Sequence, residues 1–380
     1  MKILLIGEVY SDNLGDPLLC ESVERLIQDK YPCSEIVRFD MSGRISFQAR
    51  YTKYKSPLDL AGKIDIFTLY FSLIRDRNLY RAFAKDRSRY ISMWCSLCNV
   101  MRKQHFDLAI FAGGSLFMDY FAGIINLIVA QLAKKRINTI FHACGMSSLG
   151  DTGRYLLEEA FNRDNITCIS LRDSYEHFLS LFSTRAPVIE TYDTALNCSL
   201  LYTPADEKIA QYGIGLKFGD EYFEEQVSLI REMRMSTLQW KVFTNGDVND
   251  VYTAKNVLLR AGICEKELEF YLTERPKTIM ELVNSVTQFE RIISFRMHSQ
   301  IIAASFGIPC YGISWDNKIS EFFSKLGFPQ NESVHVKSLL EMQTALQGCC
   351  PEMRRNALQQ AEISKNHLFE EIEAAIGGEK

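Results

Sequence analysis

The sequence has no apolar run long enough to cross a membrane as a helix. Its longest, Phe121–Ala133, is interrupted by Asn126 and Gln131 and falls short of the roughly 20 residues a span requires. A secretory leader is not expected either: one lysine precedes the short run Ile3–Ile6, which meets Glu8 almost at once and reads as a buried first strand. No G-x-G-x-x-G is present, so a dinucleotide is not indicated. No nucleic-acid recognition motif accompanies the net charge of −4, which argues against nucleic acid as a partner. Low-complexity segments and close internal repeats are missing. The eleven cysteines are scattered along the chain rather than spaced as a disulfide framework, which fits reduced thiols in the cytoplasm. Cys95 and Cys98 alone have ligand-like spacing, and Cys349 and Cys350 are adjacent. Two thiols on one helical turn is the plainer reading, and no metal is expected.

What is present points to a globular α/β protein. At 380 residues the chain exceeds one ordinary core, and 47% hydrophobic with 24% charged residues is usual for such folds. Apolar runs at Met1–Gly7, Ile36–Asp40, Asp107–Phe111, Thr139–Ala143 and Thr167–Ser170 read as strands, each followed by helical material. A helix is expected over Pro17–Lys30, with Asp16 as its N-cap. After a polar stretch around Tyr192–Pro204 a second series begins, at Tyr212–Phe218, Trp240–Thr244, Glu269–Leu272, Arg291–Phe295 and Cys310–Ser314. Strands alternating with helices imply parallel βαβ units. We therefore expect two Rossmann-like domains facing a cleft, over residues 1–200 and 201–350, with a hinge near 200 and an amphipathic last helix in 351–380. Charge is uneven. Between Arg44 and Lys103, 13 Lys or Arg stand against 4 Asp, together with Phe67, Tyr70, Phe71, Tyr80, Phe83, Tyr90 and Trp94. This insertion, about 44–103, suits an anionic membrane surface or a diphosphate-bearing substrate. A solvated helical insertion with one apolar face on the core is the plainer alternative.

Four strand ends carry residues suited to chemistry. Asn13-Leu14-Gly15-Asp16 follows the first strand; Gly15 permits a tight turn, and capping alone, worth about 1 kcal/mol, would account for Asp16. Ala112-Gly113-Gly114-Ser115 allows close approach of a ligand to backbone, or simply marks a turn. Ser170-Leu171-Arg172-Asp173 offers Arg172 as an anion clamp, or as the partner of Asp173. Ser294-Phe295-Arg296-Met297-His298 leads into a helix closed by Gly307 and Pro309. Two residues apart in extended chain, Arg296 and His298 are expected on the same side, near a helix N-terminus that favours negative charge. Lys318, in Trp315-Asp316-Asn317-Lys318, is a further cation or an exposed helix-start residue.

Taken in order, these pieces resemble the polysaccharide pyruvyl transferase family, whose pattern is met here by Asn13–Asp16, Gly113-Gly114, Ser170–Asp173, Arg296–His298, Gly307–Pro309 and Asp316–Lys318. Ala112 stands where a third glycine is frequent, Met297 where leucine is frequent, and Met146-Ser147-Ser148 where many members have Gly-Pro. No role is carried to His142. The resemblance implies a glycosyltransferase-B-like fold, phosphoenolpyruvate as co-substrate with no other cofactor, and a pyruvyl ketal formed on a sugar diol. The acceptor side would be the N-terminal domain and the phosphoenolpyruvate side the C-terminal one. Arg172, Arg296, Lys318 and Ser294 would then bind the donor. His298, with a reference pKa of about 6.5, would move protons and Asp16 would serve the acceptor hydroxyls. Asn13, Gly15, Gly113 and Gly114 would shape the acceptor side. The acceptor is a saccharide, free or polyprenyl-diphosphate-linked, and the expected location is the cytoplasm, with peripheral contact at the inner face of the membrane as an option. Two other readings remain: a nucleotide-sugar glycosyltransferase, for which Glu224 and Glu232 have a suggestive spacing, and a non-catalytic member of a polysaccharide assembly complex.

Overall fold

The computed structural model describes residues 1–47, 63–347 and 350–377. Residues 48–62 of the basic insertion, and Cys349, lie outside them. Contacts divide the chain into two units. The first comprises Met1–Ser11, Leu19–Thr194 and Ile363–Lys380; the second comprises Asp12–Leu18 and Ala195–Glu362.

In the first unit, β1 (Lys2–Gly7), α1 (Gly15–Lys30) and β2 (Glu35–Asp40) precede the basic insertion, which is helical: α2 (Lys63–Arg75), α3 (Arg77–Lys85) and α4 (Arg87–Lys103). Then follow β3 (Leu108–Ala112), α5 (Asp119–Lys134), β4 (Asn138–Cys144), α6 (Asp151–Phe161), β5 (Ile166–Leu171), α7 (Tyr175–Leu181) and β6 (Val188–Glu190). The sheet order is β2-β1-β3-β4-β5-β6, and each pairing is parallel. Ile3–Ile6 and Leu108–Phe111 have no exposed surface, as expected for strands covered by helices on both faces. Asp76 and Asp86 cap the N-termini of α3 and α4, each accepting from backbone N–H groups. Leu69, Leu73, Leu79, Met93, Trp94 and Leu97 turn the inner faces of these helices into the core.

The second unit holds α8 (Cys198–Leu201), β7 (Ala210–Gly215), α9 (Phe223–Met235), β8 (Trp240–Phe243), α10 (Val248–Arg260), α11 (Leu268–Tyr271) and α12 (Ile279–Thr287). It continues with β9 (Phe289–Ser294), α13 (Met297–Phe306), β10 (Cys310–Ile313), α14 (Asn317–Leu326), β11 (Glu332–Ser333), α15 (Leu339–Leu346) and α16 (Cys350–Gly377). Its sheet is parallel in the order β11-β10-β9-β7-β8. Glu269–Leu272, expected as a strand, instead falls in the short helix α11 as far as Tyr271, and Leu272 just after it forms a parallel bridge with Val242 of β8. Tyr271 stacks on Trp240 at 4.6 Å between ring centroids, Lys241 Nζ donates to Phe270 O (2.6 Å) and Thr273 N to Val242 O (2.9 Å), while the Phe270 ring stays 65% exposed.

The chain divides at Thr194/Ala195, and two stretches depart from the expected 1–200, 201–350 and 351–380. Asp12–Leu18, immediately after β1, counts with the second unit. The last helix is shared, its residues from Ile363 onward counting with the first. A polar stripe explains the latter: Ser364 Oγ donates to Tyr192 O (2.8 Å), His367 Nδ1 lies 3.0 Å from Thr191 Oγ1, Glu371 Oε2 lies 2.8 Å from His142 Nδ1, and Asn138 Nδ2 donates to Ala375 O (2.7 Å). Positions 364, 367, 371 and 375 fall on one helical face. His142 is completely buried in this network.

Candidate active site

Parallel α/β sheets bind ligands outside the carboxyl ends of their strands, where the strand order reverses. In the second unit that point lies between β7 and β9. Backbone leaving β7 delivers Lys217, backbone leaving β9 delivers Arg296 and His298, and backbone leaving the adjacent β10 delivers Trp315 and Lys318.

Three cations gather there, two of them at an indole and the third, Arg296, 5.3 Å from the Phe218 ring centroid. The Lys217 ammonium sits 3.7 Å from the Trp315 ring centroid and 5.3 Å from that of Tyr222. Lys318 Nζ lies 5.2 Å from the same indole and 3.0 Å from Asp316 Oδ2. Trp315 is held by Nε1 donating to Phe295 O at 2.5 Å. The Arg296 guanidinium makes a two-pronged pair with Asp250, Nε donating to Oδ2 at 3.0 Å and Nη2 to Oδ1. Asp250 is fully buried and also accepts from Phe218 N at 2.9 Å. Burial pushes its carboxyl above the usual range, opposed by Arg296. Lys217 differs from its neighbours: among the described residues no carboxylate stands within ion-pair distance of it. Its backbone is fixed by the buried Gln226 amide, which accepts from Lys217 N and donates to Lys217 O, both at 3.0 Å. Burial pushes the ammonium below the usual lysine range, with the Arg296 charge next in effect. The sequence reading missed Lys217. The available signal was a lysine two residues beyond a strand, Ala210–Gly215, that ends at the switch point.

Ser294, expected to bind the donor, is fully buried and shapes the turn instead, its Oγ accepting from Arg296 N at 2.9 Å. Arg296 is extended (φ −103, ψ 118) at the N-cap of α13, whereas His298 already lies in the helix. The two therefore do not share one side of an extended strand. They flank a helix N-terminus that no side chain caps, a place that favours an anion.

The loop Asn13–Asp16 packs against His298 within this same unit. A Cβ at Gly15 would lie 2.1 Å from His298 Nδ1, so only glycine admits the imidazole there. Leu14 N donates to Asn245 O (2.9 Å), and the Asn245 side chain accepts from Ser299 Oγ (2.7 Å), so one residue fastens both loop and helix. Arg275 Nη2 adds a contact to Asp12 Oδ1 at 3.3 Å. Asp16 is not the N-cap: α1 already includes Gly15, and the Asp16 carboxylate accepts from Asn13 Nδ2 at 3.0 Å.

The remaining candidates belong to the first unit. Gly113 and Gly114 follow β3 with φ of 55 and 81, in the region open mainly to glycine. Gly113 N donates to His142 O and Gly145 N to Gly114 O, which ties this turn to β4. Arg172 is 6% exposed and engages two carboxylates, Asp173 (Nε to Oδ2, 3.2 Å) and Asp193 through Nη1. Asp173 also accepts from Met146 N at 2.9 Å, so Arg172 anchors the ends of β4 and β5. Of the glutamates considered for a nucleotide-sugar site, Glu232 accepts from Leu339 N at the start of α15 and Glu224 is exposed on α9. Among the described residues no group of three or more His, Cys, Asp or Glu could hold a metal ion, and no helix is long and apolar enough to cross a membrane.

Two parallel-sheet α/β units of this kind define a glycosyltransferase-B-like fold, and solved structures agree. The chain matches UDP-GlcNAc 2-epimerase from Methanocaldococcus jannaschii (TM-score 0.57, 11% identity, covering 97% of this chain and 98% of that one). It also matches UDP-GlcNAc 2-epimerase from Neisseria meningitidis bound to UDP-GlcNAc (0.55, 12%, 98% and 100%) and sucrose-phosphate synthase from Thermosynechococcus elongatus (0.51, 12%, 99% and 97%). At such identities the likeness establishes fold alone. No curated protein matches the sequence. The family is settled by another comparison: the sequence model of polysaccharide pyruvyl transferase matches residues 13–317, and the chain belongs to that family.

Proposed function

We propose that the protein transfers the enolpyruvyl group of phosphoenolpyruvate onto two hydroxyls of a saccharide, free or polyprenyl-diphosphate-linked, giving a pyruvyl ketal and inorganic phosphate. The observation that carries this reading is the set of mutually close cations Lys217, Lys318 and Arg296, the first two at the Trp315 indole and the third at Phe218, beside the uncapped N-terminus that bears His298. Phosphoenolpyruvate carries about three negative charges near neutrality. Lys217 and Lys318 supply direct charge-assisted contacts. Arg296, already balanced by Asp250, offers its remaining N–H edge.

His298 gives a proton to the methylene carbon, leaving a cationic carbon that the first hydroxyl attacks with loss of its own proton. The carbon–oxygen bond to phosphate then breaks, and the second hydroxyl closes the ketal. Of the two hydroxyl protons, one replaces that lost by the imidazole and the other leaves with phosphate. Asp16, on the loop that touches the imidazole, is the carboxylate proposed to accept from the acceptor. Arg172 acts one step removed, by holding the glycine-bearing turns of the first unit in place.

The test is phosphate release from phosphoenolpyruvate in the presence of saccharide acceptors. His298→Ala is expected to lower the rate by about a hundredfold to ten-thousandfold, the usual worth of a proton-transfer group. A near-normal rate would remove His298 from the reaction.

A further inference from the structure

The helical insertion presents a face that nothing in the reaction uses. On α2, Leu69 and Leu73 point inward, while Tyr70, Phe71 and Ile74 are 57%, 58% and 58% exposed. On α3, Leu79 points inward and Tyr80 is 49% exposed. The outer row of α3 reads Arg77, Arg81, Lys85, all exposed and spaced four residues apart. Like charges at that spacing repel along a helix. A solvated helix of ordinary design would interleave acids. The two acids that flank α3 in sequence are occupied as caps, Asp76 accepting from Asn78 N and Leu79 N and Asp86 from Arg89 N, and Asp119, which lines a hollow with Lys85, forms no ion pair with it. Among the described residues, Arg75, Arg77, Arg81, Lys85 and Arg87 form no ion pair.

Exposed aromatic and aliphatic side chains beside unpaired cations have a defined counterpart. The apolar groups enter the boundary between headgroups and acyl chains, and the cations meet phosphate. A folded protein partner would more commonly offer carboxylates paired to individual arginines, and a polynucleotide would not reward Ile74. From this complementarity we infer that the exposed face of α2 and α3 docks on an anionic lipid surface.

The inference stands apart from the proposed reaction and is tested without it. The full-length chain is floated with vesicles of phosphatidylcholine alone and of phosphatidylcholine with 30% phosphatidylglycerol, at low and high salt. Binding is expected to the anionic vesicles only, and to weaken as salt rises. Arg77→Gln/Arg81→Gln/Lys85→Gln is expected to bind on the order of a hundredfold more weakly, the effect of three unit charges near such a surface. Tyr70→Ser/Phe71→Ser/Ile74→Ser should reduce binding independently, with circular dichroism unchanged in both variants. These residues are surface-exposed, so folding is expected to survive. Equal binding to neutral and anionic vesicles, full binding by the cation variant, or an equally tight complex with a DNA oligonucleotide would overturn the inference.

Discussion

Gly15 shows how one missing methyl group can set the position of His298, the residue proposed to move the proton. With a Cβ 2.1 Å from His298 Nδ1, Gly15→Ala forces loop or imidazole to move. Overpacking of this kind costs about 1–3 kcal/mol. We expect a lower melting temperature and a fall in turnover larger than any change in KM for phosphoenolpyruvate, measured by steady-state kinetics. Arg296 carries a separate prediction. Its removal leaves Asp250 buried without its counter-charge, so Arg296→Ala should cost about 3–5 kcal/mol at neutral pH. A protonated Asp250 needs no partner, so the loss should shrink as pH falls. Chemical denaturation at pH 7 and pH 5 reads this directly. At this scale Asn13–Asp16 and Arg296–His298 were legible as motifs, whereas Lys217 was not. A motif search looks for residues near one another in sequence, and Lys217 meets Trp315 and Lys318 only through the order of strands. The N-cap reading of Asp16 failed for a local reason: Pro17 suggested a helix start, but α1 begins two residues earlier, and the carboxylate accepts from Asn13 Nδ2.

Among elements, the end of β2 supplies a prediction unrelated to catalysis. Asp40 is buried and accepts from Tyr10 N, Ser42 N and Arg44 N. Burial raises its carboxyl from 3.8 to about 6, with Arg44 opposing and Glu8 adding to the rise. The folded state therefore holds a proton that the unfolded state releases between those values, and stability falls as pH rises through that window. The full difference is about 3 kcal/mol. Asp40→Asn should lack this decline, so the two stability profiles should diverge between pH 4 and pH 6 in urea titrations. Strands buried on both faces, such as Ile3–Ile6 and Leu108–Phe111, were legible because a parallel sheet demands continuous apolar runs. Glu269–Leu272 was not, since four residues of mixed character satisfy a strand or one helical turn equally, and contacts with β8, the Trp240 stack among them, hold the turn. The three-residue β6 and two-residue β11 are too short for any periodicity to show.

The whole molecule was legible as two α/β series because each repeats strand and helix in sequence order. The reassignment of Asp12–Leu18 and the sharing of α16 were not, because both depend on contacts between residues far apart in sequence: Leu14 with Asn245, and Ser364 with Tyr192. The first of these bears on function, for it puts the family's N-terminal motif and its arginine-histidine motif in one unit. The account as a whole rests on an anion seated among Lys217, Arg296 and Lys318. Calorimetric titration of phosphoenolpyruvate into the wild-type chain and into Lys217→Gln, with UDP-GlcNAc as a control ligand, addresses that claim most directly. We predict saturable binding of phosphoenolpyruvate to the wild type, about 10- to 100-fold weaker binding by the variant, as the loss of one charge-assisted contact implies, and no heat from UDP-GlcNAc. Equal affinity in the two proteins, or no binding of phosphoenolpyruvate to the wild type, would contradict it.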